Sequence, residues 1–148
     1  MDSSSRVLRT IGMVLRILLG AVFVYAAWMK LREPWELFAL AINNYGLLPL
    51  KAVEMVARTL PWFELAIGVM LILGLGLRVS ATLTSLMLLL FFTMMVRAFS
   101  QGREISCGCF GPAEIISWWT LLRDGTMLAG ALLLTWMAFQ RPRQRQTV

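Results

Sequence analysis

The stretch VSATLTSLMLLLFFTMMV, residues 79–96, carries no charged side chain over its 18 positions, and Arg78 and Arg97 stand directly before and after it. An apolar run of about 18 residues or more is long enough, as a helix, to cross the hydrocarbon core of a bilayer. This run therefore predicts a membrane-spanning helix, and it places the chain in a membrane.

Three further apolar stretches of similar length lie on either side of this run, and only Arg16 interrupts the first of them. The 148-residue chain is 59% hydrophobic and 15% charged, with a mean hydropathy of +0.73. Four membrane-crossing helices would use nearly all of that apolar surface. We therefore predict an all-α polytopic membrane protein, a four-transmembrane-helix bundle in one domain over residues 1–148, with spans at about 11–29, 61–77, 79–97 and 117–139.

The segment after the first span has a different pattern. Trp35 to Ile42 is a short amphipathic run that predicts an interfacial helix, and Asn43 to Gly46, followed by Pro49, predicts a turn. We expect the next helix to begin near Lys51. It should be broken or kinked at Pro61, because an interior proline lacks an N–H donor and clashes with the preceding turn.

The distribution of arginine predicts the orientation of the chain. With four spans, both termini share a side with the turn at Arg78, and that side is strongly basic, whereas charges of both signs balance on the other. Because basic residues concentrate on the cytoplasmic side of bacterial inner-membrane proteins, we expect both termini in the cytoplasm. Anionic lipid is the expected partner of this side, and nothing indicates nucleic acid. The charged residues of the basic side are Arg6, Arg9, Arg16, Arg78, Arg141, Arg143 and Arg145 against Asp2.

Both cysteines lie in the opposite, periplasmic segment, residues 101–116, within EISCGCFGPAE. Cys107 and Cys109 are close enough to form a disulfide in an oxidising compartment, and Gly108 supplies the backbone freedom that so small a ring needs. A strained, exposed disulfide exchanges readily, which favours thiol–disulfide chemistry. A disulfide that only pins the loop is the alternative. A metal would need ligands from a second molecule, because two thiolates do not complete a tetrahedral site and the chain has no histidine.

The residues after the cysteines suggest different roles for the two sulfurs. Gly111 and Pro112, followed by Glu114, predict the start of the fourth helix. The helix dipole would then lower the pKa of the Cys109 thiol. We therefore expect Cys109 to be the leaving group and Cys107 to be the sulfur that meets a partner.

A second group of polar residues is expected at the same membrane level, where ionisable side chains usually pair and often mark function. The alternative is a structural ring of ion pairs that fixes helix register. Several tryptophans at this level predict an aromatic belt, and stacking of a quinone ring on Trp62 or Trp118 is a second interpretation. The group consists of Lys30, Glu64, Arg97, Arg123 and Asp124.

Several of these motifs together resemble the MauE/DoxX family of four-helix bacterial membrane proteins associated with redox systems. The resemblance covers about residues 20–124, and CGCFG between the third and fourth spans is its most specific part. It implies disulfide formation alongside a periplasmic thioredoxin-like partner, as in maturation of the methylamine dehydrogenase small subunit. The motifs are Lys30 followed by Pro34, NNYGLLP (43–49), LPWFELAIG (60–68), GLR (76–78), CGCFG (107–111) and LRD (122–124).

Two functional hypotheses follow. The first is a membrane-embedded thiol–disulfide redox protein in which Cys107 and Cys109 act on a periplasmic thioredoxin-like partner. The second is a non-catalytic accessory subunit of a larger membrane redox complex. Four-helix disulfide generators such as DsbB use two cysteine pairs, whereas this chain has one. Electrons would therefore leave to a quinone directly or through another protein, or the chain would only exchange disulfides without net oxidation.

Overall fold

Helices account for nearly all of the chain that the computed structural model describes, residues 3–110 and 114–140. Apolar runs without internal breakers give the helices their length, and these described residues form no β-strand. The all-α prediction is thus confirmed for this part of the chain. The helices are α1 (Ser3–Arg32), α2 (Trp35–Asn43), α3 (Leu50–Leu73), α4 (Leu77–Ser100) and α5 (Trp118–Gln140).

Three of these helices, α1, α3 and α4, are long and apolar enough to cross a membrane. The fourth predicted span, α5, has 23 residues but carries Arg123 and Asp124 near its start, and it is not among the three. The nine-residue α2 is a separate short helix at the predicted position. Four crossings and an interfacial α2 remain predictions.

The structure corrects the predicted end of α3 and excludes a break at Pro61, whereas a kink there stays a prediction. The helix begins at Leu50, as expected, but it runs without a break through Pro61. It ends at Leu73 and not at residue 77, because Gly74 adopts a left-handed conformation with φ of 75°. The backbone N–H groups of Gly74 and Leu75 donate to carbonyls of the last turn. This is a glycine cap of the Schellman type, which ends a helix sharply.

The four long helices form a ring in which each packs against two neighbours, in the order α1, α3, α4, α5. Glycines permit the closest approach, between α1 and α3. A Cβ on Gly68 would lie 2.9 Å from the carbonyl oxygen of Gly20, and one on Gly20 would lie 2.8 Å from that of Gly68. The buried core of the ring includes Leu19, Phe23, Ile67, Leu71, Leu88 and Leu134.

Candidate functional site

The cysteine segment is held by a short antiparallel pairing of the chain before and after it. Ser106 and Ile115 form an isolated bridge. The backbone N–H of Cys107 donates to the carbonyl of Glu114 at 2.8 Å, and that of Ile116 donates to the carbonyl of Ile105 at 3.1 Å. We call residues 105–116 the cysteine hairpin. Its order comes from these backbone hydrogen bonds, with both thiols free.

This pairing contradicts a start of the fourth helix near Pro112 and agrees with the predicted span that begins at residue 117. Glu114 lies in the hairpin, and α5 begins only at Trp118. Ser117 precedes the helix and exchanges two hydrogen bonds with Thr120: its hydroxyl accepts from the Thr120 N–H, and its N–H donates to the Thr120 hydroxyl. Such reciprocal bonding is typical of a capping box. The helix therefore does not begin directly after Cys109, as the expected effect of its dipole on that thiol assumes. The predicted Gly111 and Pro112 lie outside the described residues.

The two thiols differ in exposure. The Cys107 residue is only 2% exposed, whereas Cys109 is partly exposed. Gly108 between them has φ of 71°, a conformation that L side chains rarely adopt. The segment thus uses the backbone freedom of glycine at this position. A Cβ at Gly108 would touch Phe38 and Ala41 of α2 at 3.5 Å. The tip of the hairpin thus rests on α2.

Each thiol donates a hydrogen bond to a different carboxylate. Cys107 Sγ lies 3.2 Å from Glu114 Oε2, and Cys109 Sγ lies 3.7 Å from Asp124 Oδ2. The guanidinium of Arg123 joins the two carboxylates, since its Nη1 donates to Glu114 and its Nε donates to Asp124 Oδ1 at 2.9 Å. Arg123 and Asp124 belong to the predicted group of ionisable residues, whereas Glu114 is expected from the sequence only at a helix start.

Hydrogen bonds between the cysteines give their thiols opposite acidities. Donation from Cys109 to the Cys107 sulfur lowers the pKa of Cys107, against the effects of burial and of Glu114. The same interaction, together with burial and the nearby Cys107 and Asp124, raises the pKa of Cys109. The expected lowering of the Cys109 pKa is therefore wrong. Because a lower pKa makes a thiolate a better leaving group, the buried Cys107 fits that role better than Cys109 does.

Tyr45 is a site residue that the sequence analysis treated only as part of a turn. Its hydroxyl donates to the carbonyl oxygen of Cys107 at 3.2 Å. Burial, followed by the nearby thiols and Asp124, raises the pKa of the Tyr45 phenol, so the hydroxyl keeps the proton that it donates. The two residues are 62 positions apart, so no local motif signals this contact.

The other predicted ionisable residues do not form one ring. Lys30 Nζ lies 2.8 Å from both carboxylate oxygens of Glu64, and this pair is buried between α1 and α3. Arg123 and Asp124 form the separate pair described above. Arg97 is exposed, and within the described part of the chain its side chain has no ion-pair partner.

A cavity of about 40 Å³ brings the cysteine hairpin and the buried ion pair together. Its polar lining consists of Lys30, Glu64, Cys109 and Asp124, and apolar side chains from α1, α4 and α5 complete the walls. Since a water needs about 10–15 Å³ by this measure, two or three waters would fit, but an aromatic ring would not.

The structure separates the tryptophans from this cavity. Trp62 and Trp118 are 62% and 76% exposed, and neither lines the cavity. A quinone stacked on either ring would therefore bind at the outer surface of the bundle. Among the residues that the structure describes, no three side chains of Cys, Asp, Glu or His form a group that could hold a metal ion.

We predict that Glu114→Gln moves the titration of Cys107 to lower pH. The Glu114 carboxylate accepts the thiol proton and repels a thiolate, so it raises the pKa of Cys107. Removing its charge should lower that pKa by about one unit. The measurement is the rate of alkylation by a small neutral reagent against pH, in a Cys109→Ser background that leaves one thiol. Glu104→Gln, an exposed change nearby, is the control. An unchanged or upward midpoint would contradict the assigned contact.

Comparison with known proteins shows one family. The family model described as "Methylamine utilisation protein MauE" matches residues 8–137. Methylamine utilization protein MauE of Paracoccus denitrificans is 36% identical over 124 residues, which cover 81% of this chain and 66% of that protein. The protein of the same name from Methylorubrum extorquens is 32% identical over 125 residues, which cover 82% and 67%.

A third relative of the same name, from Paracoccus versutus, is 36% identical over 121 residues, which cover 80% of this chain and 64% of the relative. The chain thus spans about two thirds of the length of these curated relatives. No solved structure gives a significant match.

Proposed function

The chain belongs to the MauE family of methylamine utilisation proteins, and we propose that it is a membrane accessory protein that exchanges disulfides with a partner through Cys107 and Cys109. The family resemblance expected from the CGCFG and LPWFE motifs is thereby confirmed. The observation that carries the proposal is the pairing of one buried and one partly exposed thiol, each hydrogen-bonded to its own carboxylate.

The exchange begins at Cys109, the less buried of the two cysteines. A thiolate of the partner attacks Cys109 in the Cys107–Cys109 disulfide, the bond between the two cysteines breaks, and its electron pair remains on Cys107. The lowered pKa of Cys107 suits this leaving group. The burial of the two residues also favours attack at Cys109, because a folded partner reaches the partly exposed Cys109 more readily than the buried Cys107.

The second thiolate of the partner completes the reaction. It attacks the partner's own sulfur in the mixed disulfide, and Cys109 leaves with the electron pair. Two electrons and two protons have then moved from the partner to this chain, and the partner holds a disulfide. Glu114 and Asp124 lie where they can exchange protons with the two sulfurs. A second protein disulfide, or a quinone at the outer surface, would reoxidise the pair.

The hairpin itself argues against a purely structural disulfide. Backbone pairing, Tyr45 and Arg123 already hold the segment while both thiols are free, so a disulfide would add little order. We place the hairpin on the periplasmic side of the inner membrane, with α5 as a fourth span and α2 at the interface. A thioredoxin-like protein is the partner proposed for that compartment. The alternative function is a non-catalytic accessory subunit.

Two single substitutions test the function in membranes. In the reverse direction, Cys109 of Cys107→Ser should attack the disulfide of an oxidised partner and accumulate the mixed disulfide, because Cys107 is no longer there to attack Cys109 and release the reduced partner. Cys109→Ser should trap none. The readout is a gel shift under non-reducing conditions, with alkylation of free thiols. Trapping by Cys109→Ser alone would reverse the roles, and a pair that never changes redox state would favour the accessory subunit.

A further inference from the structure

The cavity below Cys109 is enclosed by ionisable groups from three helices and the hairpin. Lys30 of α1, Glu64 of α3 and Asp124 of α5 are each at least nine-tenths buried. The side chains that line it from α4, among them Phe91 and Phe92, carry no charge. These three buried groups and Cys109 therefore line one cavity, whose other walls are apolar.

Lys30 has a hydrogen-bonding capacity that its protein contacts do not use. Two of its N–H groups donate to Glu64 Oε1 and Oε2, each at 2.8 Å. An ammonium group has a third N–H. The faces of Phe38 and Phe91 lie 5.1 and 5.9 Å from Nζ. Since Lys30 lines the cavity, a water there would accept this third hydrogen.

Asp124 provides the connection at the other end. Its Oδ2 accepts from Cys109 Sγ, and its Oδ1 accepts from Arg123. We propose that the cavity is a proton relay, in which water passes a proton from the Lys30–Glu64 pair to Asp124 and Asp124 delivers it to the Cys109 sulfur as that sulfur leaves. The relay rests on the proposed disulfide exchange.

The proton balance of the step is simple. When the mixed disulfide breaks, the electron pair stays on Cys109 Sγ and the thiolate takes one proton through Asp124 from the ammonium of Lys30. Lys30 then becomes neutral and regains a proton from solvent before the next cycle. A partner docked on Cys109 covers its exposed side, so the internal route stays open when direct access of water is closed.

The charges facing the relay are few, and they keep its net charge low. Lys30 is balanced by Glu64, and Asp124 shares Arg123 with Glu114 of the hairpin. Cys107 and Tyr45 contribute the remaining titratable groups at the Cys109 end. Glu33, next to α2, lines a smaller hollow against Lys30 and Gly108.

Replacing both Lys30 and Glu64 by methionine removes the proposed proton donor without leaving one buried charge unpaired. We expect oxidised Lys30→Met/Glu64→Met protein in nanodiscs to be reduced by dithiothreitol about tenfold more slowly than wild type at pH 8. The deficit should shrink towards pH 6, where solvent protons reach Cys109 more often. The matched control is Glu54→Met/Arg58→Met, which removes an exposed ion pair from α3 and should change nothing.

A second variant changes the cavity and no charge. Ala26 lines the cavity, so Ala26→Val should displace water and slow reduction in the same pH-dependent way, whereas Ala21→Val on the exposed face of α1 should not. Wild-type rates for both test variants at every pH would overturn the relay. Dithiothreitol replaces the protein partner, so a relay defect without partner trapping by Cys107→Ser would reject the proposed function and keep the relay.

Discussion

Lys30→Met is expected to lower the free energy of unfolding by about 3–5 kcal/mol, because it leaves the Glu64 carboxylate buried without its cation. Both oxygens of Glu64 are hydrogen-bonded to Lys30. The side chains are only 2% and 5% exposed, so water does not replace the lost contact. The measurement is the thermal midpoint of the purified protein in detergent, which should fall by many degrees.

The double variant Lys30→Met/Glu64→Met separates the loss of a partner from the loss of the pair. Apolar residues of similar volume often replace a buried ion pair at little cost, so this protein should regain most of the wild-type midpoint. Arg58→Met, which removes the exposed pair with Glu54 and the contact of the guanidinium with the Trp35 ring at 4.3 Å, should cost about 1–2 kcal/mol. Equal losses of stability for Lys30→Met and Arg58→Met would show that the buried pair stabilises the protein no more than the exposed one does.

Gly68→Ala has the second large expected effect on stability. The new Cβ would lie 2.9 Å from the Gly20 carbonyl oxygen and 3.0 Å from the backbone nitrogen of Val24. Backbone atoms cannot move aside as a flexible side chain can, so α1 and α3 must separate. Overpacking of this kind costs about 1–3 kcal/mol, and the thermal midpoint of the purified protein should report it.

Gly130→Ala is the matched control for this change. Gly130 also lies inside a helix, but a Cβ there would meet its nearest neighbour, a Leu15 methyl, at an ordinary 3.5 Å. Alanine favours helix by about 1 kcal/mol over glycine, so Gly130→Ala should be neutral or stabilising. A midpoint for Gly68→Ala that equals that of Gly130→Ala would mean that the two helices do not depend on this close contact.

The sequence predicts the long helices well because their signal is local. An uncharged run of 18 residues has few alternatives to α4, and the core of α1 follows in the same way. Helix ends are less predictable. The helix α3 continues through Pro61, although proline often ends a helix. It ends at Leu73 because Gly74 takes a left-handed conformation. A glycine in the sequence permits that conformation without requiring it.

The candidate site was predictable where its residues carry an unusual property. Two cysteines in one short segment and ionisable residues at the same membrane level are visible in the sequence, and the Lys30–Glu64 pairing agrees with that expectation. The roles of the two sulfurs were not predictable. The proposed roles rest on the hydrogen bonding between the two cysteines and on the burial of Cys107, which local sequence does not reveal.

The hydrogen bonds that hold the carboxylates of Glu114 and Asp124 come from Arg123 and from the two thiols, so their number depends on the redox state of the cysteines. In the reduced protein, Glu114 and Asp124 each receive one hydrogen from a thiol and at least one from Arg123. Disulfide formation removes both thiol hydrogens, so Arg123 alone then restrains both carboxylates. In the proposed exchange, the loss of these donors would change the contacts of both carboxylates at one end of the bundle each time the disulfide forms.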